Sequence, residues 1–119
     1  MKRASFISIE DEGTDLILSF ALEDDASGVC SLILMRSPQF EFLMPEDERG
    51  VRVSLERQTT DDEDEMLIRA VLSSNNIELV TGCRIYRIDL SKVDKEDLSF
   101  VYPFLQKMNF DKKFEVSQA

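Results

Sequence analysis

Histidine is absent from this sequence of 119 residues. Histidine is the side chain most often used as a general base near neutral pH, and it is the commonest metal ligand. Its absence excludes nucleophilic catalysis by a serine–histidine or cysteine–histidine pair. The four glycines stand singly, at positions 13, 28, 50 and 82, so no glycine-rich loop for binding phosphate is present. We therefore expect a protein that is not an enzyme.

Cysteine and long apolar runs are also scarce. Cys30 and Cys83 lack CxxC spacing and have no histidine that could complete a zinc site, so we expect no metal and no cofactor. Cys30 opens an apolar run, where a buried thiol is the common case, and its pairing with Cys83 is left open. The longest apolar runs fall far short of the roughly 20 residues of a membrane-spanning helix. Polar residues follow the basic N-terminus, so we expect no secretory signal and a cytoplasmic protein.

Negative charge dominates, with 24 Asp and Glu against 14 Lys and Arg and a net charge of −10. Nucleic acids and anionic membranes are bound through Lys and Arg, so we expect neither as a partner. The charge favours solubility, and it favours a basic protein if a charged partner exists. Two acidic segments are the candidate partner-binding residues, namely Glu46, Asp47, Glu48, Asp61, Asp62, Glu63, Asp64 and Glu65.

The run from Asp61 to Glu65 allows three interpretations. Five adjacent acids cannot pack in a core, so the simplest is a solvated loop between two strands. A second is an electrostatic contact for a basic partner, which would speed association. A third is calcium binding, although the alternating ligands and central glycine of a calcium loop are missing. Because the acids from Glu46 to Glu48 lie in a separate loop, one continuous acidic face does not follow from the sequence.

Alternation of apolar and polar residues is typical of half-buried strands and recurs along most of the chain. It predicts six to seven short strands, paired mainly as antiparallel hairpins, near residues 5–9, 16–22, 30–35, 51–55, 66–72, 77–81 and 85–90. The segment 30–35 is apolar on both faces, as in a strand that is covered on both sides or is central in the sheet. Length and an apolar fraction of 43% indicate one domain over residues 1–119, with an ordered core over about 5–110.

The period changes to that of a helix near the C-terminus. Asp94 is predicted to cap this helix, because acids near a helix N-terminus are favourable. A helical stripe of apolar residues would pack as a lid on one face of the sheet, namely Leu98, Val101, Tyr102, Leu105 and Met108. Pro103 lacks an amide donor, so it should kink the helix or divide it into two short parts. These features predict an α+β fold, a mainly antiparallel sheet with one C-terminal helix.

Aromatic residues form a second group of interest, namely Phe40, Phe42, Tyr102, Phe104 and Phe110. They could form an exposed docking surface, but we expect most of them in the core, because the sheet requires a cover. Phe104 lies off the helical stripe, and we expect it to be exposed. Phe114 and Val116 would add a short edge strand.

The order of these segments carries a family resemblance. A hairpin leads to the strand at Leu32–Arg36, an alternating strand follows at Val51–Gln58, and a strand at Ile88–Leu90 precedes the helix. Over about residues 5–110 this pattern resembles small bacterial immunity proteins of polymorphic toxin systems, in particular the immunity protein ten family. It departs from that pattern around the middle strands, where Val51 and the acidic run replace an aromatic residue and glycines. The resemblance implies a cytoplasmic protein that binds and blocks a cognate toxin domain.

Three functional hypotheses follow. The first is a non-enzymatic immunity or inhibitor protein that neutralises a basic toxin domain through an acidic surface. The alternative is a structural or regulatory domain that self-associates into a homodimer, through the edge at Phe114 to Val116. The third is a carboxylate hydrolase, because two carboxylates roughly 5 to 9 Å apart hydrolyse glycosidic bonds without histidine.

Overall fold

The computed structural model of the chain describes residues 2–11, 14–24, 28–55, 65–82 and 84–118. Within these ranges, eight strands and a helical segment form an α+β fold. This confirms the predicted fold class, and the strand count is one higher than predicted. The strands are β1 (Lys2–Asp11), β2 (Leu16–Asp24), β3 (Gly28–Arg36), β4 (Arg52–Leu55), β5 (Glu65–Leu72), β6 (Asn76–Thr81), β7 (Ile85–Asp89) and β8 (Glu115–Gln118). The helical parts are two 3₁₀ helices, Pro38–Leu43 and Glu46–Glu48, and two α-helices, α1 (Lys95–Leu98) and α2 (Val101–Met108).

The described strands form one sheet in the order β4-β3-β2-β1-β7-β6-β5-β8. β4 also pairs with the first residues of β5, so the sheet curves until its two halves meet. Neighbouring strands are antiparallel except for β1 with β7 and β5 with β8. The predicted N-terminal hairpin is confirmed as β1 and β2, and the strands predicted from Val51 and Met66 do pair as β4 and β5.

Strand β1 extends beyond the end of β7. The two strands pair only at Lys2 with Ile88 and at Arg3 with Asp89, the last residue of β7. A bulge between Ala4 and Phe6 then interrupts the register of β1 with β2. Bulges increase the local twist of a strand, which is consistent with β1 diverging from β7 at this point. The chain after β7 continues as α1 and α2, and α2 lies beside the second half of β1.

The core lies between the two halves of the curved sheet and the inward face of α2. Alternate residues of β2 and β3 are fully buried there, including Leu18, Phe20, Leu32 and Leu34. Each buried side chain of this size stabilises the fold by about 1.5–3 kcal/mol relative to an exposed one. β3 pairs with strands on both sides, β2 and β4, as one of the two predicted alternatives requires, but its opposite face is not fully covered, because Met35 is partly exposed.

The C-terminal helical segment is capped and divided as predicted. The Asp94 carboxylate accepts a hydrogen bond from the Glu96 N–H at 2.9 Å. The segment is interrupted between α1 and α2 at Ser99 and Phe100, and Pro103 is the third residue of α2. Proline has no N–H, so it could not have donated to the Ser99 carbonyl in one continuous helix.

The buried face of α2 confirms Val101, Leu105 and Met108 of the predicted stripe and adds Phe104. Its buried residues are Val101, Phe104, Leu105 and Met108, at the i, i+3, i+4, i+7 spacing of a helix that packs on one side. Phe104 is only 7% exposed, so the expectation that it lies on the surface is wrong. The predicted stripe ran through Leu98 in α1, whereas the division lets α2 present a face of its own.

The predicted C-terminal edge strand is confirmed as β8. It pairs with β5 in parallel, from Arg69 with Glu115 to Leu72 with Gln118. Phe114 is buried just before it, and the Asn109 side chain bonds both the N–H and the carbonyl of Phe114, at 3.1 and 2.7 Å. Among the described residues, no helix has the length and apolar character needed to cross a membrane.

Candidate protein-binding surface

Arg36 is a fully buried charge at the end of β3. It shares the inward face of that strand with Leu32 and Leu34, and its side chain has no exposed area. A guanidinium is almost never buried unless it is paired, because removing it from water is costly. Its position therefore requires partners for all five of its N–H groups.

The partners of Arg36 come from two other parts of the chain. Its Nε and Nη2 donate to the Glu41 carboxylate, both at 2.9 Å, and Glu41 belongs to the first 3₁₀ helix. Its Nη1 and Nη2 donate to Asp111 at 2.9 and 2.7 Å. Nη1 also donates to the Met108 carbonyl at 2.7 Å, at the C-terminal end of α2, where a cation is favourable. The guanidinium thus joins β3, the 3₁₀ helix and the end of α2.

These contacts shift the pKa values of Arg36 and Asp111. Burial alone would lower the pKa of Arg36, but its hydrogen bonds with Asp111 and Glu41 raise it overall. The same hydrogen bonds from Arg36 lower the pKa of Asp111, with burial acting in the opposite direction. Both groups are therefore charged throughout the physiological range.

Glu41 also binds Gly50, at the far end of the segment from Pro38 to Gly50. Its Oε2 accepts a hydrogen bond from the Gly50 N–H at 3.1 Å, just before β4. Gly50 has a backbone φ of +134°, a conformation that residues other than glycine rarely adopt. The segment from Pro38 to Gly50 is thus attached at both ends through one buried carboxylate.

The outward side of this segment carries large apolar side chains. Phe42 is 73% exposed and Leu43 is 71% exposed, and Phe40 is exposed beside them. The ring of Phe110, also exposed, lies 4.1 Å from the Arg36 guanidinium carbon and so adjoins the same region. The prediction that most of the aromatic group lies in the core is therefore wrong for Phe40, Phe42 and Phe110. Clustered exposed apolar residues mark an interaction surface more often than single ones do.

Acidic residues begin three positions after Leu43 in the same segment. Glu46, Asp47 and Glu48 form the second 3₁₀ helix, and all three are exposed. Lys113 contacts this helix, with its Nζ 3.2 Å from the Glu46 carbonyl and 3.7 Å from the Glu46 carboxylate. We call the combined region the apolar–acidic surface, formed by Phe40, Phe42, Leu43, Phe110, Glu46, Asp47 and Glu48.

Of the second predicted acidic segment, the structure describes only Glu65. Glu65 opens β5 and is buried, and its carboxylate accepts hydrogen bonds from Thr81 at 2.8 Å and Tyr86 at 3.0 Å. The Arg84 Nε also forms an ion pair with the Glu65 carboxylate, at 3.3 Å. The prediction that Glu65 lies in water is therefore wrong, because polar side chains from later in the chain satisfy its charge. Asp61, Asp62, Glu63 and Asp64 lie outside the described residues.

Sequence reasoning missed the group that holds the apolar–acidic surface in place. Arg36 comes two residues after Leu34 in β3, so its side chain points to the same, inward face of the strand. A charged residue at such a position indicates a buried and paired side chain. The sequence does not identify Asp111 as a partner of Arg36, because the two residues are 75 positions apart. In the described ranges, no group of three or more Cys, Asp and Glu is arranged to hold a metal ion.

Comparison with protein-family models, with curated proteins and with solved structures finds no match to this chain.

Proposed function

We propose that this protein is a non-enzymatic binding protein of the immunity or inhibitor type, which neutralises a basic toxin domain through the apolar–acidic surface. One observation carries the proposal. Large apolar side chains are exposed on a short segment that a buried ion-pair group attaches at both ends, and three exposed acids lie further along the same segment. This combination fits recognition of another protein.

The energetics of protein interfaces support this arrangement. Binding energy is concentrated in a few large side chains that fill pockets on the partner, and exposed Phe42 and Leu43 have the required area. A segment that is already ordered loses little conformational freedom on binding. The neighbouring acids add long-range attraction for a basic partner, and this raises the association rate more than it raises the affinity.

The sequence resemblance implies a toxin domain as the partner that binds the apolar–acidic surface. Many toxin domains attack nucleic acid and are themselves basic, and the net charge of −10 complements such a partner. On this proposal the protein acts in the cytoplasm, needs no cofactor and binds neither nucleic acid nor membrane.

The test is a pull-down from the extract of the native cell with three forms of the full chain. We expect the wild-type protein to retain a basic protein, and Phe42→Ser to lose it. Ile85→Ser is the matched control, because Ile85 is a comparably exposed apolar residue on β7. If no basic protein is retained, or if Phe42→Ser and Ile85→Ser retain equal amounts, the proposal fails.

Self-association is the second candidate function, and the position of β8 favours it. This strand pairs with β5 and has no second strand neighbour among the described residues. An unpaired strand edge is a template for a second copy. Analytical ultracentrifugation over a wide concentration range tests this candidate, and a monomer at the highest concentration would exclude it.

A further inference from the structure

A groove with a volume of about 500 Å³ lies between β1 and the C-terminal helical segment. It shares no residue with the apolar–acidic surface. Its lining comes from alternate positions of β1, namely Ile7, Ile9 and Asp11, and from the helical segment, including Asp97, Phe100, Phe104 and Lys107. Ligand sites in proteins commonly have volumes of about 300–1,000 Å³. The groove is therefore large enough for several side chains of a partner.

One wall of the groove is a strand with a free edge. On the side away from β2, the strand pairing of β1 within the described chain is limited to Lys2 and Arg3 with β7. From Phe6 to Asp11 no described strand pairs with this edge, and side chains of α2 line the groove together with Ile7, Ile9 and Asp11. Unpaired backbone N–H and C=O groups of a strand are a template for another extended chain. This edge specifies an extended peptide as the occupant.

The charges around the groove specify the kind of peptide. Ile7, Ile9 and Phe104 form apolar walls, and exposed Phe100 forms part of the rim. Lys107 forms an ion pair with Asp11 at one end. Asp97 lines the groove and has no ion-pair partner within the described residues. A second copy of this chain, with its net charge of −10, is a poor occupant of such a site.

We infer that β1 accepts an extended segment of a partner protein by strand addition. The segment pairs its backbone with Phe6–Asp11, inserts alternate apolar side chains between β1 and α2, and presents a Lys or Arg side chain to Asp97. Backbone pairing supplies affinity in this recognition mode, and the side-chain sites supply specificity.

The experiment selects binders from a random library of peptides of about six residues, a common strand length, against the full chain. We expect the enriched sequences to alternate apolar and polar residues and to carry Lys or Arg. In a synthetic version of one such peptide, N-methylation of residues whose amides face β1 should weaken binding about tenfold, since each loses one backbone hydrogen bond. N-methylation at the intervening residues should change the affinity less than about twofold.

Three variants locate the binding. Ile9→Lys and the milder Phe100→Ser should weaken the peptide, and circular dichroism shows whether each variant remains folded. Asp97→Asn should weaken only peptides that contain Lys or Arg. Phe42→Ser, on the apolar–acidic surface, should leave the affinity unchanged, which separates this inference from the proposed function. The inference is overturned if no peptide is enriched, if N-methylation has no positional effect, or if Phe42→Ser alone abolishes binding.

Discussion

At the scale of single residues, the buried ion-pair group of Arg36, Glu41 and Asp111 sets the geometry of the molecule's candidate surface. A buried ion pair contributes little net stability when complete, because desolvation offsets the attraction between the charges. Removing one partner is costly, since a buried charge is then left uncompensated. The group therefore acts mainly to fix one arrangement, in which the first 3₁₀ helix, β3 and the end of α2 meet at a single guanidinium.

The substitution Glu41→Ala should be strongly destabilising. It leaves two N–H groups of Arg36 and the N–H of Gly50 without their acceptor. We expect the free energy of unfolding to fall by about 3–5 kcal/mol, the usual cost of breaking a buried pair. Urea denaturation measures it. The control Glu48→Ala removes an exposed acid and should change stability by less than about 0.5 kcal/mol. Equal effects of the two substitutions would contradict the structural role given to Glu41.

Asp111 makes stability depend on pH. Hydrogen bonds from Arg36 lower its pKa in the folded state, so the unfolded chain binds a proton at Asp111 more readily than the folded protein does. The contribution of Asp111 is therefore complete above its unfolded pKa of about 3.9 and is lost as the pH falls through the lower folded pKa. The difference in unfolding free energy between wild type and Asp111→Asn should be constant from about pH 7 to about pH 5, and should narrow below about pH 4.

Denaturant titrations at a series of pH values measure this difference. Asp47→Asn is the matched control, because Asp47 is exposed on the second 3₁₀ helix and has no such partner in the described chain. Below about pH 5, the gap for Asp111→Asn should change more than the gap for this control does. A gap for Asp111→Asn that widens on acidification would show that Arg36 does not stabilise the Asp111 carboxylate.

Residue patterns predicted part of this site from the sequence. The exposed acids from Glu46 to Glu48 were identified because charged residues in a loop rarely pack. Glu65 was placed wrongly, because the partners that satisfy its charge, Thr81, Tyr86 and Arg84, lie 16 to 21 residues away in the sequence. The exposure of Phe42 was not predicted, because an apolar side chain is usually buried and nothing local marks the exception.

At the scale of elements, local chemistry determined the boundaries that the sequence predicted well. The Asp94 cap and the division of the helical segment follow from the side chains at those positions. The alternating strands were predicted because period-two patterns are local. The strand order was not predictable, since the pairings of β1 with β7 and of β5 with β8 join distant parts of the chain. Only tertiary packing decides such pairings.

Pro103 should be nearly neutral where it stands. It is the third residue of α2, and N–H groups of the first helical turn have no acceptor within their own helix. We expect Pro103→Ala to change the unfolding free energy by less than about 1 kcal/mol. Gln106→Pro is the matched control, because Gln106 is an exposed residue in the interior of the same helix. It should cost about 3 kcal/mol or more. Thermal unfolding of both variants tests the assignment, and a large loss in Pro103→Ala would show that the proline ring itself supports the fold.

At the scale of the whole molecule, the net charge of −10 acts over distances larger than any single contact. Such a charge disfavours pairing of two copies and attracts cationic partners from several directions. The exposed acids of the second 3₁₀ helix place part of this negative charge on the same segment as Phe42 and Leu43. Charge and apolar area should therefore act on different steps of binding, the first on encounter and the second on dissociation.

Stopped-flow kinetics with the basic protein retained in the pull-down should separate these two steps. Raising the salt from about 0.05 M to about 0.5 M shortens the screening length several-fold, so the association rate should fall by about tenfold or more. The triple substitution Glu46→Gln, Asp47→Gln and Glu48→Gln should lower the association rate and reduce its dependence on salt. Phe42→Ser should instead raise the dissociation rate and leave the salt dependence unchanged. If salt has no effect on association, or if the acidic substitutions act only on dissociation, then the charge of the molecule does not direct its partner to this surface.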